Sequence, residues 1–298
     1  MILKMIMHYT AQRAVLYYLN IRVRDWWAYL GMAILGFTHG LNRSLFLCAN
    51  YDVLAKFIVS NILYLAFTFS INNCFDIKSD KRQREKLRKN PIAAGLISFK
   101  EGVILSSSIA FIGLALTYLW FSDVSVFLYT MLVFLGMAYS TPPLRFKSIP
   151  IIDLVSHGLF FGSLLFLYGI LVAGSLSPQA VFMSVSIFVC SVTFELRNHI
   201  KDFEADKISS AKTTACWLGL EKAREVLKIL LVLHWLLLIA VLWTTCLLFV
   251  LATFGIMIIT LYALRSRLNY LRTTDVSSCI VYASAALSHL IQLITISR

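Results

Sequence analysis

The chain has 298 residues, of which 59% are hydrophobic and only 14% charged, and its mean hydropathy is +0.78. A soluble domain carries roughly 25% charged and 45–50% apolar residues, so the composition excludes an ordinary soluble fold and points to an all-α polytopic membrane protein. The formal charge of +12 does not indicate nucleic acid as a partner, because the basic residues fall between apolar runs, where lipid headgroups or an anionic substrate suit them better.

Residues 1–25 are mixed: Lys4, Arg13, Arg22 and Arg24 interrupt the apolar character, and no cleavable signal peptide stands out. Beyond them, stretches of about 20 apolar residues, the length a membrane-spanning helix needs, recur along the chain. Nine spans are predicted, at 26–48, 53–75, 101–121, 124–140, 151–173, 179–199, 225–244, 246–264 and 277–297. The seventh and eighth form almost one continuous run, broken weakly around Trp243–Cys246. Six cysteines (Cys48, Cys74, Cys190, Cys216, Cys246 and Cys279) are scattered without a C-x-x-C pair and read as small apolar residues, not as a disulfide frame or a zinc site.

Lysine and arginine set the expected orientation. They crowd the loops after spans 2, 4, 6 and 8, with Lys78–Lys100, Arg145 and Lys147, Lys201–Lys228, and Arg265–Arg272. The opposite loops hold little beyond Arg43 and Lys56. With nine spans, all four basic loops and the N-terminus fall on one side, the cytoplasmic one or its equivalent, and the C-terminus falls on the other.

Two polar arrays interrupt this pattern. Asn72, Asp76 and Asp80 form N-x3-D-x3-D at the end of span 2, and Asn198, Asp202 and Asp206 repeat it at the end of span 6. In a helix, a step of four residues turns about 400° and climbs about 6 Å, so each triplet shares one helical face. Carboxylates at membrane depth are costly, which makes them functional by default. The arrays lie on helices four apart that run the same way. That is the pattern of a duplicated four-helix unit, helices 1–4 over about 26–140 and helices 5–8 over about 151–264, with a ninth helix at about 277–297. All belong to one domain spanning 1–298.

Mg²⁺ takes oxygen ligands and is usually held by one or two carboxylates together with substrate phosphates. Asp76 and Asp80 suit one ion and Asp202 and Asp206 another, with a diphosphate bridging them. Asn72 and Asn198, one turn deeper, suit a carbonyl ligand or the orientation of a carboxylate. Lys89, Lys207, Lys212, Arg145 and Lys147 are placed to offset the remaining charge. A diphosphate held this way is a good leaving group, and an attached isoprenoid chain would lie among apolar helices, with aromatic faces available to an allylic cation. The plainer reading of such residues is helix capping or a solvated face, and it holds for Glu204 and Glu195 as well as a supporting role does. Two matched triplets argue against it for the aspartates.

The residues also resemble a known family, the UbiA superfamily of intramembrane prenyltransferases. The first array with NPIAAGLIS is similar to the family's first aspartate segment and the Pro-x-x-x-Gly-x-x-Ser stretch after it, although Lys89-Asn90-Pro91 lacks the usual Arg before Pro. KDFEADKISSAKTTACWLG resembles the second aspartate segment ending in Lys-Thr and Gly, with Ser209 and Ser210 where many members carry Gly. YSTPPLRFK, Tyr139–Lys147, is similar to the family's Tyr-Ser-x-x-Pro-x-Arg-x-Lys loop. The resemblance implies nine helices around a central cavity. It implies two Mg²⁺ ions on Asn72, Asp76, Asp80, Asp202 and Asp206, and a prenyl diphosphate near Tyr139, Arg145 and Lys147; Asn198, Lys89 and Lys212 are substrate-binding candidates from their placement beside the arrays. Arg24 resembles an arginine often found ahead of the first helix.

The expected activity is transfer of a prenyl group to an aromatic or other lipophilic acceptor, with diphosphate released. Asp153 and His157 near the start of span 5, and His199 beside the second array, are acceptor-side candidates. An N-cap and a satisfied interior histidine are the bland alternatives. Two other readings compete. A membrane terpene cyclase would use the same diphosphate site without an acceptor. A cation transporter would use intramembrane carboxylates, but it fits poorly with arrays that lie beside basic loops.

Overall fold

The structure, a computed structural model, describes residues 12–47, 51–174, 176–208, 211–245, 247–267 and 269–295. Lys4, Cys48, Ser209, Ser210 and Cys246 lie outside them. Among the described residues eight helices are long and apolar enough to cross a membrane. The first expected span, 26–48, is instead α2 (Trp27–Gly40), a break at Leu41 and Asn42, and the short α3 (Arg43–Leu47). Fourteen residues of helix rise only about 21 Å, less than the roughly 30 Å of hydrocarbon in a bilayer.

The chain forms two compact units, one of residues up to Leu30 with Ala55–Ile149 and one of Gly31–Leu54 with Pro150–Arg298. In the first, α1 (residues 12–20) leads into a tight turn at Val23–Asp25. The centre of this unit is α4 (Tyr51–Phe75), whose residues from Tyr64 to Ile71 are buried on every side, as befits a helix with apolar character all round. Several of its polar donors are satisfied within the helix. Asn61 and Ser60 donate to Phe57 O and Thr68 to Tyr64 O, the condition for burial at membrane depth. Asn20 donates to Ser70, Ser70 is paired with Ser106, and Ser106 donates to Gly102 O.

Two short helices follow, α5 (Ile77–Asp80) and α6 (Arg84–Lys89). The chain then enters α7 (Phe99–Trp120) through a capping box in which Ser98 and Glu101 satisfy each other's backbone N–H groups. An antiparallel partner, α8 (Asp123–Ser140), returns alongside. A Cβ on Gly113 would come within 2.3 Å of the Tyr129 hydroxyl, which donates to Ser60 O, so that crossing depends on glycine.

In the second unit, α2 packs backbone to backbone against the fifth span. This span is α9 (Ile152–Gly158), a π-helical turn (Leu159–Ser163) and α10 (Leu164–Ala173). A Cβ on Gly36 would lie 1.9 Å from Phe166 O and one on Gly40 2.4 Å from Ile170 O, the close approach that G-x-x-x-G spacing permits. The central helix is α11 (Pro178–Lys201), followed by the short α12 (Phe203–Ile208) and α13 (Thr214–Leu218). The long α14 (Leu220–Trp243) and α16 (Tyr270–Thr295) complete the core, with α15 (Leu247–Leu264) between them in sequence.

Leu154, Val192, Leu196, Ala215, Leu227 and Leu231 pack at the end of α11 that carries the second array. The helices α14 and α16 begin several residues before the apolar runs that signalled them, because their first turns are charged and lie beyond the apolar stretch. In contrast to α11, α15 leaves Leu247, Leu251, Ile258 and Ile259 60–71% exposed, a surface only lipid would cover at low cost.

A candidate diphosphate and acceptor site

Both arrays fold the same way, and neither lies in an unbroken helix. Asn72 is in the last turn of α4, the helix stops at Phe75, and Asp76 adopts φ −100°, ψ 9° before α5 begins. Asn198 is in the last turn of α11, and Asp202 adopts φ −90°, ψ 3° before α12. The four-residue hydrogen bonds nevertheless run through both breaks: Asp76 N to Asn72 O and Asp80 N to Asp76 O at 3.0 and 2.9 Å, Asp202 N to Asn198 O and Asp206 N to Asp202 O at 2.9 Å each. The expected stacking of each triplet therefore persists, but with a bend at the middle aspartate.

The first array is held by a cationic loop. After α8, Arg145 takes a left-handed conformation (φ 37°) and starts the turn Phe146–Ser148. Lys147 Nζ donates to Asn72 Oδ1 at 2.7 Å and to Asp76 Oδ1 at 2.5 Å, while Arg145 Nη2 lies 3.6 Å from Asp76 Oδ1. Ser140 donates to Asn72 Oδ1 at 3.0 Å, and Tyr139 beside it is half-buried. Burial pushes the Lys147 ammonium down, opposed by the Asp76 carboxylate beside it. Burial also pushes the Asp80 carboxyl up, with the Asp76 charge adding to it and the Asn90 hydrogen bond working against it.

Asn90 is a residue that sequence reasoning noted only as a departure. It is completely buried and uses its whole amide, donating to Asp80 Oδ2 at 2.8 Å and Asn73 O at 2.9 Å and accepting from Ile92 N and Ala93 N at 3.0 Å each. It ties the loop after α6 to the last carboxylate of the array. Its position directly before Pro91 was the available signal.

Two expected diphosphate contacts lie elsewhere. Lys89 Nζ pairs with Asp25 Oδ1 at 2.9 Å, and Arg22, not Arg24, completes that cluster through Asp25 Oδ2 at 2.6 Å. Arg24 is exposed.

The second array has different neighbours. Asp202 and Asp206 are half-buried and Lys212 and Glu204 exposed. Asn198 Nδ2 donates to Glu195 Oε2 at 3.1 Å. The three acceptor-side candidates come together here. Asp153 is fully buried and is not the N-cap of α9, which is Ile151. Its carboxylate accepts from Leu154 N and Thr214 N at 2.7 Å each and from the Thr214 hydroxyl, and Oδ2 lies 3.6 Å from His199 Nδ1. His199 Nε2 is 3.4 Å from Glu195 Oε1, and His157 Nε2 is 3.5 Å from Glu195 Oε2. His157 Nδ1 is 3.1 Å from the Ser191 hydroxyl. Glu195 and Thr214 are the members that sequence reasoning undervalued or missed. The spacing of Glu195, four residues before His199, was the signal.

The donor set of the first array fits a hard divalent cation. Asn72 Oδ1 and Asp76 Oδ1 already converge on a single cationic point, the Lys147 ammonium. Among the described residues no three His, Cys, Asp or Glu side chains are arranged to hold an ion, and Mg²⁺ seldom relies on such a cage, drawing instead on water and substrate phosphate.

These features define a multi-pass integral membrane protein with paired acidic motifs at helix ends. The model of the UbiA prenyltransferase family matches residues 26–285, and the chain belongs to that family. It is 29% identical over 185 residues to the digeranylgeranylglyceryl phosphate synthase of Sulfurisphaera tokodaii, covering 61% of this chain and 62% of that protein. It is also 29% identical over 188 residues to the lycopene elongase/hydratase of Corynebacterium glutamicum, covering 62% of each. The chain thus spans about three fifths of the length of each of these two relatives. A solved UbiA homologue from Archaeoglobus fulgidus, bound to GPP and Mg²⁺, superposes with a TM-score of 0.71 over 91% of this chain and 98% of that one, at 22% identity. The fold is the one expected from the sequence.

Proposed function

We propose that the protein is a Mg²⁺-dependent intramembrane prenyltransferase. In this reading it ionises an isoprenyl diphosphate and passes the prenyl group to a lipophilic acceptor, with its basic loops and N-terminus on the cytoplasmic side and its C-terminus opposite. The observation that carries this reading is the convergence of Asn72, Asp76, Lys147 and Arg145, oxygen donors and cations at one point, in a chain of this family. Relatives named as a digeranylgeranylglyceryl phosphate synthase and a lycopene elongase support a prenyl donor. Their different names leave the acceptor to be set by this chain's own residues.

Asn72, Asp76 and Asp80 would hold one ion and Asp202 and Asp206 a second. When bound, the metal ions would supply positive charge to the departing diphosphate. Lys147 and Arg145 bind the diphosphate oxygens and supply fixed positive charge where negative charge grows, which costs no reorganisation at the moment of reaction. Asn90 keeps Asp80 oriented. Tyr139 and Asn198 border the substrate, and the apolar helices exclude water from the cation. The helix units 26–140 and 151–264 fit a duplication in which each copy contributes one aspartate motif, and the shared bend at Asp76 and Asp202 supports it.

A cyclase remains the second reading. Product analysis separates them: purified protein in nanodiscs is given geranyl, farnesyl or geranylgeranyl diphosphate with Mg²⁺, with and without membrane lipid extract. A prenylated adduct that needs the extract and disappears with EDTA is the expected result. A cyclic hydrocarbon or alcohol made without extract would replace transfer with cyclisation.

A further inference from the structure

Diphosphate capture leaves one built feature of the molecule unused: the acid–imidazole chain at the end of α11. Asp153, His199, Glu195, His157 and Ser191 follow one another at 3.6, 3.4, 3.5 and 3.1 Å. Asp153, His157, Ser191 and His199 are buried, and the Glu195 side chain is 12% exposed, the most accessible carboxylate of the two. Two carboxylates in a bundle of lipid-embedded helices are expensive, and packing alone would be served better by apolar residues. The cluster's contacts bring imidazoles and a hydroxyl to the carboxylates, whereas the first motif meets Lys147 and Arg145.

The fifth span is shaped to form this chain. Its helix widens to a π-turn at Leu159–Ser163, directly after His157, a distortion frequent at functional sites. It starts from Ile151 in a left-handed conformation, φ 71°, unusual for a β-branched residue and costing about 1–3 kcal/mol. A Cβ on Gly158 would lie 2.6 Å from Val192 Cγ2, and one on Gly162 2.9 Å from Ser191 Cβ, so glycine is what lets the span press His157 against α11. On α11 itself, Glu195 precedes Asp202 by seven residues, about 10 Å along the helix axis. That places the cluster on the apolar side of the second motif, where the reacting carbon of a prenyl chain belongs if its diphosphate is held at Asp202.

We infer that Glu195, gripped between His157 and His199, is the base that accepts the acceptor's proton, and that the acceptor is a hydroxyl-bearing lipophile. The inference rests on the transferase reading. In the step it describes, the acceptor O–H donates to a Glu195 oxygen. The C1–O bond to diphosphate breaks, the diphosphate leaving with the bonding electron pair, and the acceptor oxygen uses a lone pair to bond C1 of the resulting allylic cation. The O–H proton passes to the Glu195 carboxylate, the more exposed carboxylate of the cluster. A hydrocarbon acceptor brings no O–H to hydrogen-bond to the carboxylate and pass its proton there. A hydroxyl supplies one. His157 and His199 are positioning residues that aim the carboxylate, and Asn198 holds its Oε2.

The test uses the full chain in nanodiscs with geranylgeranyl diphosphate, Mg²⁺ and a total lipid extract of the membranes that naturally hold it. Adduct and released pyrophosphate are measured together. The wild type is expected to give an adduct whose fragmentation places the prenyl group on oxygen. In Glu195→Gln the ratio of adduct to pyrophosphate should fall at least 50-fold, with the prenyl alcohol from water capture appearing instead. His157→Gln should lower the same ratio about tenfold, a change that mere loss of folded protein would not produce, because both products would then fall together. A carbon-linked adduct, or an unchanged ratio in Glu195→Gln and His157→Gln, overturns the inference and leaves the transferase standing. No adduct from the wild type overturns the transferase reading itself.

Discussion

The two aspartate motifs share a spacing, a break at the middle aspartate and backbone angles that differ by no more than 10° in φ and 6° in ψ, yet their neighbours have opposite character. The first is faced by Lys147 and Arg145 and braced by Asn90. The second is bordered by Glu195, Asp153 and two histidines. Backbone geometry follows from the repeated sequence pattern, whereas the chemistry each copy meets is set by loops and helices outside the pattern. Two motifs of one backbone geometry thus meet cationic neighbours in one case and acidic and imidazole neighbours in the other.

The comparison can be broken most sharply at the aspartates themselves. If both motifs act on one diphosphate, Asp76→Asn and Asp202→Asn should each lower pyrophosphate release by about 10³-fold or more, with the proteins folded, since each removes charge directed at the transition state. Normal turnover in either variant would make one copy vestigial. The cationic half is sharpened by Lys147→Met, for which a fall in kcat/KM of about 10²-fold is expected. The loss should appear for pyrophosphate release with and without lipid extract, because it concerns the leaving group and not the acceptor.

Asn90→Ala should cost roughly 2–3 kcal/mol of stability by leaving a buried carboxylate oxygen and two N–H groups unpaired. It should also raise the Mg²⁺ concentration for half-maximal activity several-fold; thermal melting and metal titration check the two effects separately.

The smallest effect belongs to Asp25. Partial burial would raise its carboxyl, but the hydrogen bond from Lys89 and the charge of Arg22 outweigh this and hold it below the usual carboxylate range. Its contribution is therefore present above an ordinary carboxylate pKa of about 3.9 and lost as pH falls through the lower folded value. Because Lys89 is 54% exposed, Asp25→Asn should cost no more than about 1 kcal/mol near neutral pH. The difference from wild type should vanish in melts at strongly acidic pH.

The membrane spans were legible because lipid demands long apolar runs, and the arrays because carboxylates stand out against them. Four residues of spacing announced which side chains stack. What spacing could not announce was the bend at Asp76 and Asp202, since neither a proline nor a glycine marks it. Span 1 was overread for a related reason: apolar residues run through 26–48, but the helix ends at Gly40, where α2 touches the backbone of Ile170, and hydropathy carries no record of such contacts. Lys147 was legible from its motif. Lys89 was a basic residue near an array like any other until Asp25, 64 positions away, claimed it. Glu195 could be read as a solvated acid because its partner His157 comes from another span.

The most direct measurement of the central claim is calorimetric binding of a non-hydrolysable geranylgeranyl thiolodiphosphate with Mg²⁺ present, to wild type, Asp76→Asn and Asp202→Asn. The account predicts Mg²⁺-dependent binding by the wild type that weakens at least 100-fold in both variants. Binding that survives in either variant, or that is indifferent to Mg²⁺, would contradict the claim that both motifs hold one prenyl diphosphate.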